Sequence, residues 1–399
     1  MKDSSPSASP TTPSRQWGLD ALRGLALGGI LVVNIQWFSS AYQWRGLPEP
    51  SFVGDWDVAC RWLISLFFEG KFYPLFSFLF GYSLVLQLGV NATPVAVSKA
   101  RRRQWALLAL GLLHGTLLFP GDVLLTYGVL GAVLLRWRDW PVTRRIKVAI
   151  GLWLMLAVVY GAIAVAVSAM GELAAAPSAK EFEQALAQAH TAQLALSEGG
   201  WRMHQQRVVD WVDALPNLLL LQFPSTLMWM LLGSAVALSG GLRASLGAWP
   251  LRRGLLLGSL GVLGAWLYAR GMVATDGLTQ LIGVWALVAL GPALSGAYIW
   301  LMARAEQQPQ APAFLRPLAQ AGRMSLTLYL SQSLICALLF TGYGLGWVGQ
   351  LTLAQTLGAA GLVYGLQLAG ARWWLARHPT GPLEALMQRW LSRPLPPSP

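Results

Sequence analysis

The chain has 399 residues, of which 55% are hydrophobic and only 12% charged, with a net charge of +12. Soluble domains carry roughly 25% charged residues, so this composition excludes an ordinary water-soluble enzyme. The basic excess does not point to nucleic acid, because Lys and Arg flank apolar blocks and form no basic face with interleaved aromatics.

The chain opens with 14 Ser-, Pro- and Thr-rich residues, read as a disordered tail. Apolar blocks then follow near 18–39, 62–89, 104–120, 122–137, 146–170, 215–239, 253–269, 278–303, 324–342 and 353–371. About 20 apolar residues cross a bilayer. The blocks therefore predict an all-α, polytopic transmembrane bundle of about ten helices over 15–372. No signal-peptide cleavage site follows the first block, which reads as a retained helix.

Basic residues cluster in alternate connections. Lys99, Arg101, Arg102 and Arg103 lie in 90–104, and Arg136, Arg138, Arg144, Arg145 and Lys147 in 136–147. Arg243, Arg252 and Arg253, then Arg304, Arg316 and Arg323, then the tail after 372 continue the series. The positive-inside rule puts both termini in the cytoplasm. Residues 373–399 become a cytoplasmic tail, and 171–214 the one long outer loop. Within that loop, Ser178 and Glu181 form a capping box that starts a short amphipathic helix. The stretch 58–89 would be roughly 48 Å as one helix, too long for a simple crossing, so a bend is expected at Glu69-Gly70-Lys71.

Two motifs mislead by letter. Gly344-Leu345-Gly346-Trp347-Val348-Gly349 fits a dinucleotide fingerprint but lacks the strand before it, and reads as a Gly-rich turn. Asn91-Ala92-Thr93 fits a glycosylation site but falls on the cytoplasmic side. The spacings Gly24…Gly28 and Gly254…Gly258 suggest close helix packing. Cys60 and Cys336 stand apart, and no His or Cys set has metal spacing.

Ionisable residues at membrane depth are costly and mark function. His114 is the one histidine inside an apolar block and falls about 15 Å into the third helix. Asp122 follows after Pro120-Gly121. Glu69 and Lys71 frame the suspected bend, and Asn34 lies in the outer half of the first helix. By depth these five suit one outer-half cavity, with His114 as a general base charged or oriented by Asp122 or Glu69. Asp20 and Arg23, three apart at the inner mouth of the first helix, and Arg323, at the start of the ninth, suit an anionic ligand. Each also has a plainer role, as a surface ion pair, a core histidine or a membrane-anchoring arginine.

Together these residues resemble the YeiB-like membrane proteins of bacteria. The resemblance rests on Leu19-Asp20-Ala21-Leu22-Arg23-Gly24-Leu25-Ala26 with Asn34, and on Phe68-Glu69-Gly70-Lys71-Phe72-Tyr73 with Phe76-Ser77-Phe78-Leu79-Phe80-Gly81. Leu112-Leu113-His114-Gly115 with Gly121-Asp122, Gly322-Arg323-Met324-Ser325-Leu326-Thr327 with Tyr329 and Gln332-Ser333, Gly342-Tyr343-Gly344, and Gly381-Pro382-Leu383-Glu384 complete it. The family is similar to a wider superfamily of transmembrane acyltransferases, including heparan-α-glucosaminide N-acetyltransferase and OafA-like enzymes. That similarity implies a cytosolic acyl-CoA donor, no bound cofactor, and a small-molecule, glycan or lipid acceptor beyond the membrane. OafA-like members carry a His eleven residues after the first-helix Arg; here that position is Asn34. The heparan-type enzyme has its His in the following loop, and 35–58 contains none. His114 is thus a replacement base rather than an inherited one. The implied activity is acyl transfer, with a non-enzymatic exporter of a small anionic or lipid-linked molecule as the alternative. The sequence leaves room for a homodimer.

Overall fold

A computed structural model describes residues 16–89, 92–170, 178–274, 276–308 and 310–392. The expected tail at 1–14, the end at 394–399, Asn91 and residues 171–177 of the expected outer loop lie outside the described residues. All ten apolar blocks fall on helices, and the described residues contain no strand. Among the described residues, six helical stretches are long and apolar enough to cross a membrane, and a seventh arises if one pair bent by 81° counts as a single span.

Helix α1 (Trp17–Ser39) runs through the middle of the bundle, packed by the helices Phe72–Leu88, Arg316–Gly322, Ser325–Phe340 and Leu353–Leu375. The long second block is broken where Glu69-Gly70-Lys71 predicts: α2 spans Asp55–Phe67 and α3 Phe72–Leu88. Gly70 takes a left-handed φ of 73°, which a side chain would oppose. The N–H groups of Phe68 and Glu69 both donate to the Ile64 carbonyl, at 2.8 and 2.9 Å, which closes α2.

Helix α4 (Pro94–Leu117) begins earlier than the apolar block suggests. Lys99 and Arg101–Arg103 are helical rather than part of a connection. Thr93 caps this start, its hydroxyl accepting the Ala96 N–H at 3.3 Å, and Pro94 fits the first turn. With the helix running from Pro94 to Leu117, His114 lies not mid-helix but three residues before the α4 end. Next come α5 (Leu124–Arg136) and α6 (Val142–Met170), the latter mostly exposed in its apolar window.

The segment expected to be the outer loop is helical almost throughout its described part. Helix α7 (Ala179–Glu198) starts at the predicted capping box, with the Ser178 N–H and hydroxyl donating to Glu181 Oε2 at 2.8 and 2.7 Å. These bonds hold the Glu181 carboxyl below its ordinary range. A carboxylate with a depressed folded value contributes above its unfolded value and loses that contribution as pH falls through the folded one. Acidification should therefore fray the first turn of α7. Amide exchange at Phe182, corrected for intrinsic rate, should speed up between about pH 6 and about pH 3; unchanged protection would exclude this cap.

Helix α8 (Gly200–Asn217) continues through a π-helical turn, Leu218–Gln222, into α9 (Phe223–Leu238). Helices α10 (Leu251–Val273), α11 (Gly277–Ala289) and α12 (Gly291–Ala305) follow. Pro292 near the α12 start splits the eighth block into α11 and α12. The short α13 (Arg316–Gly322) bends into α14 (Ser325–Phe340), and α15 (Leu353–Leu375) leads to α16 (Pro382–Leu391). The stretch predicted as a tail thus holds a docked helix.

Glycines set the closest helix contacts. A Cβ on Gly81 would overlap the Met230 carbonyl, and one on Gly233 the Phe78 carbonyl, so α3 and α9 touch backbone to backbone. Gly24, Gly28 and Gly254 pack on Leu318, Tyr364 and Trp300 as their spacings suggest, whereas Gly258 faces open space. The Gly-rich 344–349 stretch is a turn, with Gly346 and Gly349 at φ of 66° and 72°.

Candidate functional site

Gly111 and Gly115 flank His114 on α4 and let the following turn come close. A Cβ on Gly111 would collide with the Leu125 backbone nitrogen. Asp122 therefore reaches back across the turn, and its Oδ1 lies 2.7 Å from His114 Nδ1. Its Oδ2 accepts the Leu125 N–H at 2.7 Å, so the carboxylate also sits at the positive end of α5. With a carboxylate accepting at Nδ1, the proton belongs on Nδ1, and Nε2 keeps its lone pair. Both side chains are 1% exposed. His114 Nε2 is buried with no hydrogen-bond partner among the described residues. The His114 ring lies 5.2 Å from the ring of Tyr329.

Two cavities approach this dyad from opposite ends of α1. One, of about 240 Å³, is lined by Asn34, Trp37, Trp44, Tyr73, Asp122 and Trp211 among others. The second, of about 390 Å³, is lined by Asp20, Arg23, Arg103, Tyr329, Arg323 and Glu384 among others. Ile30 and Val123 line both. They form a partition between an aromatic chamber and a basic one. His114 lines neither chamber; it stands behind the partition, bonded to Asp122 of the first and with its ring tilted against Tyr329 of the second.

The basic chamber gathers the residues that charge alternation places on one side. Arg23 donates to Asp20 Oδ1 at 2.6 Å and to Ser83 Oγ at 2.7 Å. Arg323 donates to the Pro379 carbonyl at 2.8 Å. Glu384, reaching over from α16, accepts the Leu326 and Thr327 N–H groups at 2.7 and 3.1 Å and the Thr327 hydroxyl at 2.5 Å. It thereby caps α14 and holds the last helix against the chamber.

Glu69 and Lys71 do not join the dyad, contrary to the single-cavity expectation. Glu69 accepts from Arg61 at 3.0 Å and from the Ser65 hydroxyl at 2.9 Å. Lys71, fully buried, donates to the Ser65 carbonyl at 2.5 Å and lies 5.7 Å from the Tyr268 ring centroid. The left-handed turn at Gly70 points both side chains back onto α2. They lock the helix break, so Glu69 is not the partner that orients His114, and Lys71 does not face the aromatic chamber. Of the predicted five, Asn34 and Asp122 share that chamber, with His114 one layer behind.

The chain is 28% identical over 408 residues to "Uncharacterized protein YxaH" of Bacillus subtilis, covering 95% of each. It is 29% identical over 355 residues to "Uncharacterized protein YeiB" of Escherichia coli, covering 82% of this chain and 84% of that one. Residues 243–394 match the family described as "Protein of unknown function (DUF418)". Over most of its length the chain is similar to these two uncharacterised proteins. A third relative, "Uncharacterized 39.9 kDa protein in amylase 3'region" of Bacillus acidopullulyticus, is 26% identical over 369 residues, 92% of this chain and 90% of that one.

The family-matched region supplies Arg323, Tyr329 and Glu384, while the dyad comes from the part before it. Arg103 escapes a sequence reading because it belongs to a basic run, yet it lines the chamber. Arg207 and Arg145 are both 2% exposed. Arg207 donates to the Leu117 carbonyl and lies 4.8 Å from the Tyr343 ring, tying the α7–α8 hairpin to the α4 end beside His114. Arg145 donates to the Trp137, Arg138 and Trp140 carbonyls at 3.2, 2.6 and 3.0 Å, closing α5. Nothing in their sequence neighbourhood marks either as buried.

Proposed function

We propose that the protein is a membrane acyltransferase that moves an acyl group from a cytoplasmic acyl-CoA to a hydroxyl or amine acceptor at or beyond the membrane. The observation that carries this reading is the buried His114–Asp122 dyad, with an unpartnered Nε2, set behind the partition that divides a basic chamber from an aromatic one. Arg23, oriented by Asp20, and Arg323 hold the anionic part of the donor, as guanidinium groups suit phosphate. The acceptor enters the aromatic chamber.

In the chemical step, His114 Nε2 takes the proton of the acceptor hydroxyl or amine as its heteroatom forms a bond to the thioester carbonyl carbon. Asn34, in the aromatic chamber, donates to the oxyanion of the tetrahedral intermediate. The C–S bond then breaks, and the leaving thiolate takes the proton back from Nε2. Asp122 keeps the imidazole in one tautomer and stabilises its charged form. Contact requires Ile30 and Val123 to swing aside, a gating motion that also keeps water from the donor when no acceptor is bound.

Purified protein incubated with labelled acyl-CoA should release free CoA only when an acceptor is present. Arg23→Ala should raise the KM for the donor by roughly tenfold to a hundredfold, the worth of a charged hydrogen bond, with a smaller change in kcat. An unchanged donor KM would remove Arg23 from the donor site. A carrier also suits two chambers on either side of a thin partition. Substrate flux in proteoliposomes without any acyl donor, together with intact acyl-CoA, would favour that reading and end this one.

A further inference from the structure

A third cavity, of about 630 Å³, lies between α6, α9, α10 and α12, apart from the two chambers. Its volume is that of a ligand site, and gaps of such size are foreign to a packed helical interior. The walls are hydrocarbon and indole: Trp153, Trp229, Leu257 and Trp300 are among them. The hydroxyls in its lining face their own backbone. Ser239 donates to the Ala235 carbonyl at 2.9 Å and Ser245 to the Ser239 carbonyl at 3.0 Å. The Trp229 and Trp300 indole N–H groups are buried without a partner among the described residues and could meet one carbonyl or ester oxygen, while the rest of the wall suits an alkyl chain.

One wall residue carries charge to the cavity. The Arg253 guanidinium lies 5.9 Å from the ring of Trp249, and Arg304 Nη1 is 3.5 Å from the Trp249 carbonyl. Both arginines are exposed, and neither has a carboxylate within ion-pair distance among the described residues. Arg243 and Arg252 are exposed close by in the chain. An oily cavity with two available guanidinium groups at Trp249 matches an amphiphile with one long chain and one anionic head.

We infer that this cavity binds an anionic phospholipid, one acyl chain lying against Trp229 and Trp300 and the phosphate held by Arg253 and Arg304. Guanidinium forks recognise phosphate, and basic residues at a membrane surface attract anionic lipid. The site is independent of the acyl-transfer reading, since it shares no residue with the dyad or the chambers.

The test uses full-length protein exchanged into nanodiscs of phosphatidylglycerol mixed with phosphatidylcholine, then extracted in mild detergent and weighed by native mass spectrometry. Wild type should retain one phosphatidylglycerol per chain, preferred over phosphatidylcholine by roughly tenfold or more. Arg253→Glu with Arg304→Glu, both at the surface, should erase that preference. Gly296→Leu points into the cavity, where only Leu257 Cδ1 comes near, at 3.8 Å, and should prevent retention of either lipid. If Gly296→Leu fails to fold, the arginine pair decides alone. Equal retention of the two lipids by wild type, or an unchanged preference in the arginine variant, would overturn the assignment.

Discussion

His114→Ala should lower acyl transfer by about 10²–10⁴-fold, the usual worth of a positioned general base, while donor binding stays near wild type. The prediction rests on separate jobs for separate places: the arginines lie in the basic chamber, and the dyad stands behind Val123. Removing the imidazole also leaves the Asp122 carboxylate buried with the Leu125 N–H as its remaining partner, which costs stability. A fall in activity could then reflect a loosened turn. Asp122→Asn separates the two effects. Its amide preserves the shape and can donate to Nδ1, which drives the proton to Nε2 and removes the lone pair that the reaction needs. Asp122→Asn should therefore match His114→Ala in lost turnover yet keep a melting temperature close to wild type. Turnover in either variant near the wild-type rate would end the catalytic assignment.

Much of this arrangement can be read from the residues, for physical reasons. A bilayer forces each span to declare itself as an apolar block, so all ten blocks appear as helices. The Gly70 break is legible because 58–89 exceeds one crossing and has a glycine between two charges. Asp122 as the partner of His114 is legible because Pro120-Gly121 turns the chain straight back. Depth alone is a weaker guide. It assigns Glu69 and Lys71 to the chamber of Asn34, but azimuth decides what a side chain meets, and the positive φ at Gly70 turns both toward α2. Buried Arg145 and Arg207 are illegible for a similar cause: each satisfies carbonyls at a helix end, and that need depends on where another helix stops. Hydropathy also misses the true start of α4, since Lys99–Arg103 break the apolar run without breaking the helix.

Gly322→Ala should be among the most damaging single-methyl substitutions in the molecule. A Cβ there would overlap the Asp20 carbonyl oxygen and sit 3.0 Å from Arg23 Cβ. The obstacle is helix backbone, which has no rotamer to yield. Helix α13 must move off α1, and α13 leads directly into Arg323 and the capped start of α14. The movement widens the mouth between Arg23 and Arg323 and strains the Glu384 contacts to Leu326 and Thr327. Overpacking of this kind costs roughly 1–3 kcal/mol, and the helix gain of Ala over Gly, about 1 kcal/mol, offsets only part of it. The expected result is a lowered melting temperature together with a weakened donor KM, although Gly322 bears no group that could touch the donor. Gly258→Ala is the control: nothing stands within 4 Å of its added Cβ, so the same change in another α-helix should leave both properties near wild type. If Gly322→Ala behaves like Gly258→Ala, α1 and α13 are not in backbone contact, and the basic chamber is not built on that seam.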